Sequence, residues 1–282
     1  MKIQMTGYCP YCKEKGHKQI AYGLLNNDNY SILECPKGHS FIIYLQNNKY
    51  EWLIRNSLNA FIDRYYLESF MALYQAIEQF RVSFIQGSYI SHGQTRLRTI
   101  DKMFSTMLDS TQILGAYKSA YLLETGELVD LKGSKHTLFT NKLSIIKLRN
   151  KIVHQGYYPS KKEVVASGNI IINYIGSVEQ SIKVNVNPNP HNPRLVKLSS
   201  PVDINLINQL PKIMQPLNTE KIKRHNPKKL DVFPFEDTTL HLSGLISNGS
   251  KIPSFEHLVN IRRKNKIAEF EVDDDSSASD DD

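Results

Sequence analysis

The chain has 282 residues, 40% of them hydrophobic and 22% charged, with a formal net charge of +7. That is enough apolar material for a packed core, while the lack of any run of eighteen apolar residues excludes an ordinary transmembrane helix, so no membrane partner is expected. The segment Met1–Cys9 lacks the apolar stretch of a secretory signal, and a cytoplasmic location is expected.

The first predicted element is a metal module. All three cysteines fall near the N-terminus, in Cys9-Pro10-Tyr11-Cys12 and Cys35-Pro36-Lys37-Gly38-His39. Two tight turns that carry thiolates, the second closed by an imidazole, match a four-ligand zinc site made by Cys9, Cys12, Cys35 and His39. His17 is an alternative fourth ligand, and metal-free thiols or a redox pair are other readings of the same cysteines. A closed set of this kind is structural, because no position is left for water. Gln19–Leu25, Asn29–Leu33 and Phe41–Leu45 read as short strands, with a turn at Asn26-Asn27-Asp28. The pattern predicts a zinc ribbon over residues 1–50, with too small a core to hold together without metal. Whether it caps the fold or grips nucleic acid or protein is left open.

From Leu53 the apolar positions recur at three and four: Ile54, Leu58, Phe61, Ile62, Tyr65, Phe70, Leu73, Ile77, Phe80 and Phe84. This spacing predicts one amphipathic helix of roughly thirty residues, with its apolar stripe in the core or a dimer face. Gly87, Ser88, Ser91, His92 and Gly93 are expected to break it. A second helix carries Leu97, Ile100, Met103, Phe104, Met107, Leu108, Leu114 and Tyr117 and ends before Thr125-Gly126. A loop through Lys132-Gly133-Ser134 leads to a third, Asn141 to about His154. A fourth starts near Ser160, with Glu163 as its capping-box partner, and carries Val164, Val165, Ile171, Ile172, Ile175, Val178 and Ile182. Four helices with short connections favour a bundle over 51–185.

The third helix ends in Leu148-Arg149-Asn150-Lys151-Ile152-Val153-His154-Gln155-Gly156. Arginine holds a phosphate in a fork of donors, histidine moves a proton near neutral pH, and asparagine orients either one. Arg149, Asn150 and His154 are thus candidate catalytic residues. The alternative role of Arg149 and His154 is structural, as positive side chains at a helix end that complement its dipole. Arg149 and His154 are five residues apart, about 140° around an ideal helix, so within one chain they are not expected to converge. No H-E-x-x-H, phosphate-binding glycine loop or G-x-S-x-G is present. His92, His136, His191, His225, His241 and His257 have no partner pattern.

The stretch from about Leu143 to Ile182 resembles the end of a HEPN domain, a four- to five-helix bundle found in prokaryotic toxins, abortive-infection proteins and RNA-processing enzymes. The resemblance rests on Arg149 and His154 at the family's spacing, the polar Asn150 directly after the arginine, the turn Gln155-Gly156-Tyr157-Tyr158-Pro159 and the next helix. Upstream, from Trp52 to about Leu123, the chain supplies long helices as the family requires. The resemblance implies a homodimer that brings two motifs together, and RNA cleavage without a catalytic metal. In that chemistry His154 moves the 2′-OH proton or protonates the leaving oxygen, Arg149 stabilises charge on the phosphorane, and a 2′,3′-cyclic phosphate remains.

Asn187-Pro188-Asn189-Pro190-His191-Asn192-Pro193 reads as a linker. Residues 186–272 are expected to hold this linker and a small mixed appendage, with apolar runs such as Leu240–Ile246. Asp273–Asp282 carries six Asp and is expected to be a disordered acidic tail. Basic residues gather at Lys142, Lys147, Arg149, Lys151, Lys161 and Lys162, at Lys221, Lys223, Arg224, Lys228 and Lys229, and at Arg262, Arg263, Lys264 and Lys266. Such an excess suits a polyanion, and Lys147, Lys151, Lys161 and Lys162 are candidate RNA contacts. The fold expectation is mainly α: a HEPN-like bundle after a small zinc-ribbon β domain. The leading expectation for function is a HEPN-type endoribonuclease in antiviral defence or a toxin role. The others are a catalytically idle RNA- or protein-binding module, and a sensor that signals to a regulatory protein partner. The acidic tail complements the basic site, which fits regulation.

Overall fold

The computed structural model describes residues 4–24, 30–45, 47–91, 97–106, 110–129, 143–185, 232–235 and 251–265. It is mainly helical, with a small sheet built chiefly from the N-terminal strands, and it divides into two compact units. No helix among the described residues is long and apolar enough to cross a membrane.

The first unit holds strands β1 (Gln4–Tyr8), β2 (Ile20–Leu24), β3 (Tyr30–Glu34), β4 (Ser40–Leu45) and β5 (Val232–Phe235), with the short helix α1 (Pro10–Glu14) between β1 and β2. The sheet order is β1-β2-β3-β4-β5, and the first four strands are antiparallel neighbours. The register puts Met5, Ala21, Leu33, Phe41 and Ile43 on one face, and all five are buried. On the other face Tyr8, Tyr22, Leu24 and Ile32 are exposed. β1 was not expected. β5 runs parallel to β4 with Ile42 opposite Val232 and Tyr44 opposite Pro234. Residues expected to lie in a separate appendage thus close the sheet edge, a non-local pairing that no short-range pattern announces. The Asn26-Asn27-Asp28 turn lies outside the described residues.

The second unit is the helical bundle. Its helices are α2 (Lys49–Ile62), α3 (Tyr66–Ser91), α4 (Leu97–Thr106), α5 (Ser110–Thr125), α6 (Ile145–Gln155) and α7 (Lys161–Asn185). An eighth helix, α8, covers 255–265, and its residues 255–260 belong to this unit. The expected single long helix from Leu53 is in fact two, α2 and α3, folded back as a hairpin. Neither glycine nor proline stops α2. Arg64 takes a left-handed conformation at φ 66°, its N–H bonds to the Phe61 carbonyl, and the Tyr65 N–H bonds to the Ala60 carbonyl. This is the two-bond Schellman cap, which normally favours glycine and costs about 1 kcal/mol or more for another residue. Packing across the hairpin offsets it. The Ser57 and Ser69 hydroxyls meet at 2.9 Å, and the Phe61 ring packs on Tyr66 and edge-on to Phe255.

The expected break at Gly87 and Ser88 does not occur, since α3 runs through both to Ser91. A mid-helix glycine costs about 1 kcal/mol against alanine. Burial of Phe84, Ile85 and Ser88 on that part of the helix outweighs it. Along the expected second helix the described residues form α4 and α5, while Met107 and Leu108 between them, like His92 and Gly93, lie outside the described residues. The third expected helix starts four residues late, at Ile145, because the Ser144 hydroxyl accepts the Lys147 N–H at 3.4 Å and caps it there. α7 begins as expected. The Ser160 N–H donates to Glu163 Oε2 at 2.8 Å and the Glu163 N–H to the Ser160 hydroxyl at 3.3 Å, a reciprocal capping box.

The bundle core is aromatic. Tyr50, Phe80, Phe84, Tyr117, Tyr121 and Tyr174 interlock, mostly edge-on or tilted. Phe255, Leu258 and Val259 of α8 belong to the same core. Asn169 on α7 accepts the Phe255 N–H at 2.7 Å and donates to Glu256 at 3.2 Å, so it caps α8 and docks it on the bundle. Gly168 permits the approach, because a Cβ there would drive into the Phe255 ring. The linker at 186–193, Leu240–Ile246, His136, His191, His225, His241, the second basic group, Lys142, Lys266 and the acidic tail all lie outside the described residues.

Candidate functional site

The cluster that could hold a metal is built by two turns. The Cys9 N–H bonds to the Gln19 carbonyl, extending the β1–β2 pairing, and the chain then turns into α1, whose first residue is Pro10. Proline suits this position because its missing donor is one the helix would leave unpaired anyway. The Lys13 N–H returns to the Cys9 carbonyl at 3.0 Å, so Cys9 and Cys12 face the same way. In the second turn the Cys35 N–H bonds to the His39 carbonyl at 3.0 Å, and Gly38, at φ 78°, donates to the Cys35 carbonyl at 2.8 Å.

The four ligand atoms of Cys9, Cys12, Cys35 and His39 lie within 4.8 Å of one another. His39 Nδ1 stands 3.6 Å from Cys9 Sγ, 3.4 Å from Cys12 Sγ and 3.4 Å from Cys35 Sγ. A tetrahedral metal with M–S about 2.3 Å and M–N about 2.05 Å sets that edge near 3.5 Å. The residues therefore fit a four-coordinate metal, with the imidazole bound through Nδ1. His17, the alternative ligand, is exposed and outside the cluster. The cysteines are free thiols and all three are buried. Tyr11 packs on the His39 ring at 5.3 Å and edge-on to Phe41 at 6.3 Å, which holds the imidazole in place. Burial pushes the Cys12 thiol up to about 11, and the neighbouring Cys9 adds to this. Burial also pushes Cys35 up, but the His39 and Lys37 backbone N–H groups outweigh it and bring that thiol below its ordinary value. A bound cation removes the conflict, since all three sulfurs then bind as thiolates.

The second site is on the bundle. Ile145, Leu148 and Ile152 face the core and fix the rotation of α6. The helix ends on Gly156, left-handed at φ 64°, with its N–H on the Lys151 carbonyl. Asn150 and His154 are thereby exposed and Arg149 is half-buried. The expectation that Arg149 and His154 diverge within one chain is overturned. Arg149 Nη1 lies 3.4 Å from His154 Nε2 and donates to Asn150 Oδ1 at 3.2 Å. The 140° backbone offset holds, but the long arginine side chain reaches around it. A guanidinium has only donors, so a hydrogen bond across this contact would have Nε2 as its acceptor. The helix-dipole explanation reaches His154, which is in the last turn of α6, but not Arg149, which is further in.

Residues of α3 complete this site. The Arg149 guanidinium stands over the Tyr74 ring at 5.8 Å. Tyr74, Glu78 and Arg81 follow at i, i+4 and i+7, which places them on one face of α3. Burial raises both the Tyr74 phenol and the Glu78 carboxyl above their ordinary values; the charge of Glu78 adds to the first, and Arg81 and Arg149 oppose both shifts. Arg81 is buried, with its guanidinium over Tyr117 at 5.8 Å and Tyr174 at 5.7 Å. Helical spacing alone put these three α3 residues on one face. Nothing in their spacing said what they would face.

Lys147, Lys151, Lys161 and Lys162 are exposed. Lys151 Nζ lies 5.7 Å from the Tyr157 ring, whose hydroxyl donates to Glu163 at 3.0 Å. Lys161 and Lys162 open α7, where the helix dipole disfavours positive charge. Ile146, Val153 and Tyr158 are exposed apolar side chains beside the site. Comparisons with protein-family models, curated proteins and solved structures give no match for this chain.

Proposed function

We propose that the protein is a metal-independent endoribonuclease of the HEPN type, acting in antiviral defence or as a toxin. The observation that carries this is the contact of Arg149 with both Asn150 and His154 on the open surface of the bundle. His154 Nε2 is the base for the 2′-OH. Arg149 exchanges its side-chain contacts for the phosphate and stabilises the phosphorane charge. Asn150 steers the guanidinium. O2′ attacks phosphorus, the P–O5′ bond breaks, and the products carry a 2′,3′-cyclic phosphate and a 5′-OH. Lys147, Lys151, Lys161 and Lys162 bind flanking phosphates. The last two gain nothing from their helix, which supports a polyanion as their partner.

The metal centre serves structure. Its three sulfurs and one imidazole suit zinc, and four protein ligands leave no position for water or substrate. The reading includes a homodimer, now motivated by the apolar side chains Ile146, Val153 and Tyr158 beside the motif rather than by divergence of Arg149 and His154. A second reading, an RNA- or protein-binding module, is favoured by the exposed apolar side chains of the sheet, Tyr8, Tyr22, Leu24 and Ile32.

The deciding experiment incubates full-length protein with total cellular RNA in EDTA and maps the ends. Cleavage with 2′,3′-cyclic phosphate ends, absent on DNA and blocked by 2′-deoxy substitution at the cut, is expected. Binding without cleavage at any protein concentration would move the assignment to the binding module, and a strict need for magnesium would exclude the mechanism.

A further inference from the structure

Arg149 makes contacts of two kinds, and they fare differently when a phosphate arrives. Two use the edge of the guanidinium: Nη1 donates to Asn150 Oδ1 at 3.2 Å and lies 3.4 Å from His154 Nε2. A guanidinium binds phosphate through the same edge, with its N–H donors in a fork. Substrate therefore competes with Asn150 and His154 for these donors. The third contact uses the flat face, which stands over the Tyr74 ring with Cζ 5.8 Å from its centre. A ring beneath the plane takes none of the N–H donors, so it can hold the side chain before and after a phosphate binds.

We infer that Tyr74 is a positioning residue of this site: its ring holds the Arg149 guanidinium by the face and leaves the donor edge for the phosphate. The role rests on the ribonuclease reading. Tyr74 moves no proton and does not touch substrate; it acts through Arg149.

The surroundings of Tyr74 suit this task. It is half-buried on α3 and packs against the bundle core, and its helix neighbours Phe70, Leu73 and Ile77 are buried. The ring is therefore seated by the same packing that fixes α3. Burial pushes its phenol above the ordinary value, so at neutral pH the ring is uncharged and attracts the guanidinium through its π face. The anchor also comes from outside the motif helix. A free arginine side chain samples many rotamers, and ordering it in the transition state would slow the reaction. A ring already in place removes much of that loss.

The test assays full-length protein in EDTA on an oligoribonucleotide that spans a cut site mapped with the wild type. Tyr74→Leu keeps an apolar side chain and removes the ring, and its kcat is expected to fall about 10- to 100-fold through lost orientation. Its KM should stay within about threefold, because the interaction it weakens is made chiefly in the transition state. Tyr74→Phe keeps the ring and is expected to cut at close to the wild-type rate. In an Arg149→Ala background Tyr74→Leu should change the rate by less than about threefold, since there is nothing left to position. A second measurement needs no RNA. The Arg149 Nε–H resonance, identified by its loss in Arg149→Ala, is expected upfield of an exposed arginine's, because it lies in the shielding region above the ring. Tyr74→Leu should abolish that shift and Tyr74→Phe should keep it. The assignment is overturned if Tyr74→Leu cuts at the wild-type rate, or if its loss persists in full without Arg149, which would make the effect structural. It is also overturned if Tyr74→Phe loses as much as Tyr74→Leu, which would make the hydroxyl the working group. Should Tyr74→Leu not fold, Tyr74→Met takes its place, and an unshifted Arg149 resonance in the wild type overturns the assignment with no Tyr74 variant at all. Wild-type protein that cuts no RNA overturns the ribonuclease reading, while the resonance still reports whether Tyr74 holds Arg149, so the two failures separate.

Discussion

The two units hold their polar side chains in opposite ways. In the sheet unit the chemistry-bearing residues Cys9, Cys12 and Cys35 are buried and point at one another, and His39 closes the set. In the bundle Asn150 and His154 are open to solvent, and only Arg149 leans back onto α3. The sheet unit has few large apolar side chains in its core, among them Met5, Leu33, Phe41 and Ile43. The bundle has an aromatic core of its own and can carry an exposed site at little cost. A closed polar cluster supplies stability, and an open one is free to meet a substrate.

The largest test of this contrast is metal removal. Chelation, or Cys35→Ser, should unfold the sheet unit, since structural zinc contributes about 10–16 kcal/mol of apparent binding energy in small domains. Helix content, followed by circular dichroism, should remain largely intact. Elemental analysis should find about one metal per folded chain; a folded, reduced sample without metal would show that the core suffices alone.

The second test touches the open site. His154→Ala and Arg149→Ala should each lower RNA cleavage by about 10²- to 10⁴-fold. The melting temperature of His154→Ala should barely move, because surface changes usually fall within about 0.5 kcal/mol. A large loss of stability in His154→Ala would mean that the residue belongs to the fold.

Third, Gly168→Ala should destabilise the bundle by about 1–3 kcal/mol, as overpacking does in a tight core, because its methyl group meets Phe255. Metal content should stay the same. An unchanged denaturation midpoint would show that α8 is not seated on α7.

The smallest effect is at the α7 cap. Burial pushes Glu163 up, but the Ser160 backbone N–H and hydroxyl and the Tyr157 hydroxyl outweigh it and hold the carboxyl below its ordinary value. A depressed carboxylate stabilises the fold above its unfolded-state value, and that contribution is lost as pH falls through the folded one. Glu163→Ala should therefore cost about 0.5–1 kcal/mol near neutral pH, the usual size of a cap, and nothing in strong acid. A difference that persists unchanged in acid would rule out the carboxylate as its source.

Much of this was legible in the chain. Cys9, Cys12, Cys35 and His39 were readable because knuckle chemistry is local: Pro10 and Gly38 shape the turns, and the ligands follow within a few residues. The Ser160–Glu163 box and the Gly156 stop were readable for the same reason. The helix end at Arg64 was not, because its cap uses a residue type that gives no warning. Gly87 and Ser88 misled, because local propensity of about 1 kcal/mol is smaller than the burial around them. Arg149 and His154 were identified from spacing, yet the geometric conclusion drawn from that spacing failed. Helical period locates Cβ atoms and says little about where a long arginine ends.

The sequence by itself determined the helical period, the Ser160–Glu163 and Gly156 caps, the two cysteine-bearing turns and the residue types of the open site, all of which depend on neighbours within about one turn. Only the tertiary structure decided that β5 closes a sheet begun far upstream, that α8 seats on α7 through Gly168 and Asn169, and that Tyr74 stands beneath Arg149. These are pairings between residues far apart in the chain. Their energies come from side chains that meet only once the core has formed, and no local pattern encodes which partner will be there.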